Sequence, residues 1–535
     1  MAIEVVIDSR LRMNDLPEDV VKKLCELFTY DNPQVKKLEA MGRRYHKEPK
    51  TYETWKSNPR VTKFTLPRGG LTRLREVFDE FDLDYRITDN RSEGVPSVTG
   101  SYVDTWQLGM DLFPEHKLVA WDHQNEMVEC AKKYAQVLLR APTGSGKTSA
   151  LLKLISELQV PALVIMWETG LLRQWQKRIE VELGIPVEDQ GLIQGKDFRL
   201  KPITLAMQQT LARWDEDKWD RLSVDGKGIF GFVACDEVQR YAANTFVNQV
   251  DRFDAKYRVG VSADERRKDR KEFLIYDMFG KPRLKVSKVD LVAKRIIHEV
   301  ECYVMPTNFR ADWYAKKRED KIWDVEDFNQ LLVEMQGDTE RNELATHLIA
   351  ESVKAGLPTL SFTHRVDHAR KIDAALTSRG IASGLALGSK EWSETFDETV
   401  AQLTDGRLQV GCGTFGKLGT GHDIPAVAAG VAVTPVHNNR GFLGQVKGRI
   451  CRTDAGKENA RIIVLWDRHV FGEKPLENLK RWNEVCKVWC EWDRRWKDIG
   501  QYMKEQRQHG RATDTTSPTA EEDIFKQAPR PGRRK

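Results

Sequence analysis

The sequence predicts an α/β protein in which two tandem parallel-sheet domains follow a small α/β module and precede a C-terminal helix. Three observations carry that prediction. The chain has 535 residues, 40% of them hydrophobic and 31% charged, which suits several separate cores and argues against wholesale disorder. Short apolar runs alternate with amphipathic helical stretches, the pattern of a buried parallel sheet covered by helices. The alternation occurs twice, on either side of a charged segment around 310–345.

Along the chain, residues 3–8 read as a strand, 17–28 as a helix, 61–66 as a strand, 71–81 as a helix and 84–88 as a strand. This module ends at the loop Asn90-Arg91-Ser92-Glu93-Gly94. In the first large block, apolar runs at 135–139, 162–167, 230–234 and 257–261 alternate with helical stretches such as 148–158 and 171–183. The second block repeats the pattern with strands near 359–363, 408–411, 427–433 and 461–465. Trp482, Val485, Trp489, Trp492, Trp496, Ile499 and Met503 then fall at alternating three- and four-residue steps, which predicts one seam of a long helix. Such a seam must be buried, against the second large domain or against a partner or second copy. The last residues mix Thr, Ser, Pro and Gly and read as a disordered tail ending in Arg533, Arg534 and Lys535. The expected boundaries are 1–110, 111–295, 296–472, 473–505 and 506–535.

Composition excludes several classes. A net charge of +5 gives no uniformly basic coat, so any polyanion site must be local. Eight cysteines scattered over this length form no disulfide framework and point to a reducing compartment. Cys486 and Cys490 lack a second pair that would complete a zinc set. Glu4 and Asp8 interrupt the first apolar run, and nothing approaches the ~20 apolar residues of a membrane span. The expected location is cytoplasmic, in a bacterial or phage-infected host cytosol, with no membrane partner.

The chemistry lies in three constellations. Ala141-Pro142-Thr143-Gly144-Ser145-Gly146-Lys147-Thr148 follows a strand and opens a helix, the context of a phosphate-binding loop. Gly144 and Gly146 let backbone N–H groups turn toward anionic oxygens, the helix N-terminus adds positive charge, and Lys147 reaches the β/γ-phosphates. The Thr148 hydroxyl can ligate Mg²⁺. Further on, an apolar strand ends in Cys235-Asp236-Glu237-Val238-Gln239. There Asp236 would hold the metal shell and Glu237 would orient, or take a proton from, the water that attacks the γ-phosphate. Finally, Gln445-Val446-Lys447-Gly448-Arg449-Ile450-Cys451-Arg452 puts two guanidinium groups on one helix face, in the manner of arginine fingers.

These elements, in this order over roughly residues 115–470, resemble a superfamily two helicase or translocase, and the resemblance implies two RecA-like motor domains that use ATP and Mg²⁺. Gln124 matches the adenine-recognising glutamine, Ala141–Thr148 motif I and Asp236–Gln239 motif II. Thr169-Gly170-Leu171-Leu172 resembles motif Ia, Met207–Thr210 a later DNA-contacting motif, and Val261–Asp264 motif III. Thr359–Arg365 is similar to motif IV, Gly421-His422-Asp423-Ile424-Pro425 to motif V and Gln445–Arg452 to motif VI. By that resemblance the nucleotide contacts are Gln124, Thr143, Gly144, Ser145, Gly146, Lys147, Thr148 and Asp423. Thr169, Gln208, Thr363 and Thr414 would contact the nucleic-acid backbone. Two positions depart from the family: Gln239 stands where many relatives have His, and Asp264 ends a Ser262-Ala263-Asp264 in place of Ser/Thr-Ala-Thr. Both sit where hydrolysis is coupled to domain movement, and Asp264 brings a negative charge toward a polyanion site.

Within the superfamily, residues 257–269 and Phe279-Gly280 are most similar to the XPB-type and phage UvsW-type DNA helicases, and the N-terminal module resembles their small DNA-gripping domain. Residues 36–68 hold ten Lys/Arg against three Glu, interleaved with Tyr45, His46, Tyr52 and Trp55. That composition suits phosphate neutralisation with stacking, through Arg43, Arg44 and Lys47, and equally a solvated charged loop. The run Arg266–Lys271 reads as a solvated face. The function implied is unwinding or remodelling of duplex, single-stranded or branched DNA in replication, recombination or repair. An RNA helicase, the motor subunit of a restriction-type complex, and an ATP-holding DNA adaptor with weak turnover remain alternatives.

Overall fold

The computed structural model describes residues 2–40, 49–60, 62–95, 97–100, 103–107, 111–241, 244–267, 269–387, 393–418, 427–436, 440–451, 460–483 and 485–509. The chain forms two compact units, 1–288 and 289–535.

The first unit begins with a five-stranded sheet in the order Lys56–Ser57, Lys63–Leu66, Leu11–Asn14, Ile3–Ile7, Tyr85–Asp89. Helices Glu18–Leu27 and Leu71–Glu80 cover it, burying Val20, Leu24, Leu74, Val77 and Phe78 against Val5, Leu11 and Phe64. The strand Leu11–Asn14, absent from the sequence reading, alternates buried and exposed residues over only four positions, too few for a clear period. Polar groups tie this module to the rest of its unit. Asp277 is fully buried, paired with Arg73 and accepting hydrogen bonds from Tyr30 Oη (3.0 Å) and Thr54 Oγ1 (2.6 Å). Arg10 pairs with buried Asp251, and Arg68 donates to the Ala255 carbonyl at 2.8 Å.

The large sheet of the first unit runs Asp197–Arg199, Gly191–Gln194, Ile203–Met207, Ala162–Met166, Phe232–Asp236, Tyr257–Ser262, Gln136–Arg140, Pro282–Lys285. All neighbours pair in parallel except the first two strands. Strands such as Ala162–Met166 and Phe232–Asp236 are buried at every position, because helices cover both faces. The strand expected from residue 135 starts one residue later. Ala135 adopts φ +57° and caps the preceding helix Asp122–Tyr134, turning the chain into Gln136–Arg140.

The second unit carries another eight-stranded sheet: Ser383–Ala386, Val410–Thr414, Thr359–Thr363, Ala429–Ala432, Ala460–Asp467, Val300–Thr307, Cys486–Cys490, Arg495–Asp498. Only the last pair is antiparallel. The charged segment, between the first strand of this sheet, Val300–Thr307, and the second, Thr359–Thr363, forms the helices Asp312–Glu319, Val325–Gly337 and Thr339–Lys354.

The expected helix over 473–505 is not formed. A helix Lys474–Trp482 gives way to a hairpin of Cys486–Cys490 and Arg495–Asp498, and only then does the helix Ile499–His509 begin. Residues 486–490 read Cys-Lys-Val-Trp-Cys, and the sheet edge at Val300–Thr307 offers unpaired backbone that a strand can satisfy and a helix cannot. Arg494 turns the hairpin at φ +49°. Trp489 and Trp496 therefore face each other across two strands, ring centroids 5.4 Å apart, and Trp496 meets Tyr303 at 4.8 Å. Trp492 stacks on Tyr502. Trp489 and Trp496 of the tryptophan seam thus pack within their own unit while Trp492 stays exposed, and the sheet continues past the expected boundary at 472. Cys486 and Cys490 lie on a strand rather than one helical turn apart.

Candidate nucleotide site

The loop Ala141–Gly146 leaves the strand Gln136–Arg140 and enters the helix Lys147–Leu158. Gly144 and Gly146 hold φ of +85° and +75°, conformations that favour glycine. At Gly146 a second constraint applies: a Cβ would lie 2.1 Å from Gln124 Nε2. Gln124 packs against the loop, donating from Nε2 to the Gly146 carbonyl at 3.1 Å and accepting from the Trp121 N–H at 2.9 Å. His123 Nε2 lies 2.7 Å from the Ser145 carbonyl. The Ser145 hydroxyl is buried with no hydrogen-bond partner among the described residues, a donor suited to an anionic oxygen at the mouth of a helix N-terminus. Thr143 and Thr148 are half-buried at either end of the turn.

Asp236 is the last residue of the strand Phe232–Asp236, beside the strand that ends in Ser262. Trp175 Nε1 donates to Asp236 Oδ2 at 3.0 Å, and the Glu237 N–H to Oδ1 at 2.8 Å. Burial first, and the Glu237 charge second, push the Asp236 carboxyl up to about 6 against the pull of Lys147 and the Trp175 N–H. Each Asp236 oxygen keeps a lone pair beyond its present bond, and with the Thr148 hydroxyl these are hard oxygen donors suited to a divalent cation. Lys147, itself buried, lies 3.7 Å from Glu237 Oε1. Glu237 adopts φ +55°, which turns it off the strand axis toward the loop lysine.

Gln239 bridges Glu237 and Ser262. It donates from Nε2 to Glu237 Oε2, and its Oε1 accepts from Ser262 Oγ at 2.5 Å. Ser262 Oγ in turn accepts the Asp264 N–H at 3.1 Å. Motifs II and III are therefore joined by an unbroken hydrogen-bonded chain. The Asp264 carboxylate turns to Arg266, at 3.0 Å, with Arg140 at 3.9 Å. Burial pushes its carboxyl up, but the bonds from Arg266 and the Arg140 charge outweigh it and hold it below the usual range. The charge anticipated near a polyanion is already paired.

The remaining site expectations divide. Thr169 is exposed at the start of the helix Thr169–Leu183, its hydroxyl accepting from Gln194 Nε2 at 3.3 Å. Thr414 is half-buried at the end of Val410–Thr414. Gln208 is buried and donates to Gln249 at 3.3 Å, so its side chain faces inward; Gln209 and Thr210 stand at the surface side of that turn. Thr363 is fully buried, its hydroxyl donating to the Arg365 carbonyl at 2.9 Å, which removes it as a surface contact. Thr363 ends a strand buried at every position, and Gln208 opens the short helix Gln208–Leu211 directly after another such strand, Ile203–Met207, so both side chains lie in the core. Arg449 lies on the helix Arg440–Ile450. Arg43, Arg44, Lys47, Asp423 and Arg452 lie outside the described residues. The run Arg266–Lys271 is not simply a solvated face. Arg267 donates to the Gln239 carbonyl, and buried Lys271 donates to Tyr52 Oη at 2.6 Å.

Sequence reasoning missed Trp175, His123 and Arg267. Trp175 was findable, since Leu172, Trp175, Ile179 and Leu183 share the buried face of one helix. Arg267 gave no signal, because nothing in a basic run marks which member folds back.

A parallel sheet with a phosphate loop after one strand and paired carboxylates after another defines a P-loop nucleoside-triphosphate site. Residues 115–266 match the family model described as type III restriction enzyme, res subunit. The chain is 28% identical over 245 residues to the DNA 3'-5' translocase XPB2 of Sulfurisphaera tokodaii, covering 43% of this chain and 53% of that protein. It is 22% identical over 398 residues to the probable helicase D10 of Escherichia phage T5, covering 74% and 78%. The chain thus spans about half the length of the archaeal relative. Among solved structures, T4 UvsW aligns over 91% of this chain and 99% of that one at 14% identity and a TM-score of 0.39. Over these residues the chain is similar to superfamily two proteins of the helicase type, the XPB group among them.

Proposed function

We propose that the chain is an ATP-dependent DNA translocase or helicase that unwinds or remodels duplex or branched DNA in replication, recombination or repair. One observation carries the reading: Lys147, Asp236 and Glu237 meet beside the phosphate loop, and Gln239 links Glu237 to Ser262 in the segment that follows. The names of the archaeal and phage relatives support the coupling to DNA.

In this reading the loop amides and Lys147 hold the β- and γ-phosphates, the Ser145 hydroxyl donates to one of their oxygens, and Gln124 reads adenine with the second N–H and lone pair of its amide. Thr148 and Asp236 would hold Mg²⁺, which would supply neutralisation of phosphate charge. Glu237 orients the attacking water and takes its proton, and the bond from Gln239 fixes the carboxylate for that task. Arg449 and Arg452 are the arginines that the resemblance assigns to the γ-phosphate, and Thr169 and Thr414 those it assigns to the strand backbone. No described helix is long and apolar enough to cross a membrane.

ATP turnover with Mg²⁺, alone and with single-stranded DNA, duplex DNA, a branched junction or single-stranded RNA, tests the proposal. DNA should stimulate wild type well above RNA, and Glu237→Gln should remove that turnover while ATP still binds. Equal turnover in the two proteins would sink the mechanism, and stronger stimulation by RNA would transfer it to the other polymer.

A further inference from the structure

The carboxyl ends of three neighbouring strands of the first unit, Gly191–Gln194, Ile203–Met207 and Ala162–Met166, meet in one surface rim. Gln194 Nε2 donates to Thr169 Oγ1 at 3.3 Å, the Gly195 N–H to Thr210 Oγ1 at 2.9 Å, and Gln209 Nε2 to the Trp167 carbonyl at 2.6 Å. Trp167 stands in this rim with 40% of its surface exposed. The other exposed aromatics of the large sheet's domain are engaged: Tyr134 lies under Lys133 and Arg283, and Trp121 stacks on His123. The Trp167 ring has no aromatic or cationic partner among the described residues. Exposed Lys196 and Arg213 follow Gly195 and Thr210. An unpartnered indole set among hydroxyls, amides and two cations is the composition of a single-strand binding surface: stacking on a base, with the backbone held beside it.

Its place in the sheet adds a second argument. Ile165 pairs with Cys235, so Trp167 lies one strand across from Glu237 and about level with it. Tyr241, in the segment after Glu237, donates to the Ile165 carbonyl at 3.1 Å. The rim therefore lies beside the element that carries Glu237.

We propose that Trp167 is a base-stacking residue for a single-stranded DNA segment whose backbone runs past Thr169, Lys196 and Arg213. The proposal rests on the DNA-motor reading above and names a contact within it. Binding of full-length wild type, Trp167→Ala and Trp167→Phe to an oligo-dT, and to the same length carrying abasic sugars, tests it. Trp167→Ala should weaken oligo-dT binding roughly tenfold, with Trp167→Phe within about threefold of wild type. The salt dependence should keep its slope, because no cation is removed. On the abasic strand, wild type and Trp167→Ala should bind alike, and turnover without DNA should be the same in all three proteins. Equal oligo-dT binding by wild type and Trp167→Ala overturns the stacking contact and leaves the motor reading intact. A loss on the abasic strand as large as on oligo-dT, or a matching fall in turnover without DNA, shows a structural role instead. A wild type that binds no strand overturns this proposal together with the reading it rests on.

Discussion

The two eight-stranded sheets share one strand order and differ at one corner. Numbering the parallel strands of each along the chain, both run 3-4-2-5-6-1-7, with one antiparallel strand added at opposite edges. In both, the first and sixth strands lie side by side, and their last paired residues are Arg140 and Ser262 in the first unit, Thr307 and Asp467 in the second. In the first unit the chain leaves that corner as the phosphate loop, with the Ala141 N–H bonded back to the Ser262 carbonyl at 3.0 Å. In the second the same corner is closed. Arg341 lies 2.7 Å from Asp467, both fully buried, and Thr307 donates to the same carboxylate at 2.7 Å. One scaffold thus yields a ligand site where backbone amides are left open and a structural clamp where an ion pair fills the space.

The sharpest way to break this contrast is to remove the cation from each corner. Lys147→Ala should lower ATP turnover on the order of 10²- to 10³-fold, since a charge aimed at developing phosphate charge is lost. The thermal midpoint should stay close to that of wild type. Arg341→Met should do the reverse. Removing one partner of a buried ion pair costs about 3–5 kcal/mol, so the urea transition should fall by that amount while folded protein still binds nucleotide. A stable Arg341→Met protein would show that the second corner is not a clamp.

Acid should separate the units next. Burial lowers His364 to about 4 and His368 to about 3 from an ordinary 6.5, with Arg341 adding to the effect at His368. Both are therefore neutral in the fold, bonded to Thr434 Oγ1 and Asn342 Oδ1 respectively, each at 2.7 Å. A folded pKa below the unfolded one means that unfolding takes up protons, so stability is complete above pH 6.5 and falls as the pH drops toward 4. From about pH 7 to about pH 5 the loss should be about 2 kcal/mol per histidine. Thermal melts across that range should show it, and His368→Asn should flatten the slope; an unchanged slope would remove His368 from the account.

The same comparison explains what could be read from the sequence. The first unit's site was legible because its chemistry is contiguous: a glycine loop after a strand, and two carboxylates at the end of another. Strands buried on both faces, such as Ala162–Met166 and Ala460–Asp467, announced themselves as apolar runs. The clamp of the second unit was not legible, because Thr307, Arg341 and Asp467 are far apart in the chain and each looks ordinary. The tryptophan seam misled for a related reason: its three- and four-residue steps describe a helix face and equally two short strands with a turn, and only the free edge at Val300–Thr307 decides. Thr363 and Gln208 were assigned by motif, and neither motif records that the side chain points into the core.

The smallest effect tests a departure that looked large in the sequence. Asp264 replaces a family threonine at the end of motif III, and an unpaired charge there would repel a polyanion and loosen the coupling between hydrolysis and movement. The structure gives the charge partners: Arg266 at 3.0 Å and Arg140 at 3.9 Å. What joins motif III to Glu237 is the Ser262 hydroxyl, through Gln239, and the contribution of residue 264 to that chain is its backbone N–H, which any residue but proline supplies. Half-exposed ion pairs of this kind contribute about 0–1 kcal/mol. Asp264→Thr should therefore change ATP turnover, with or without DNA, by less than about threefold, whereas Gln239→Ala, which cuts the chain itself, should cost far more. A large gain in DNA-stimulated turnover on restoring threonine would show that the side chain at 264, and not the hydrogen-bonded chain beneath it, sets how strongly DNA acts on turnover.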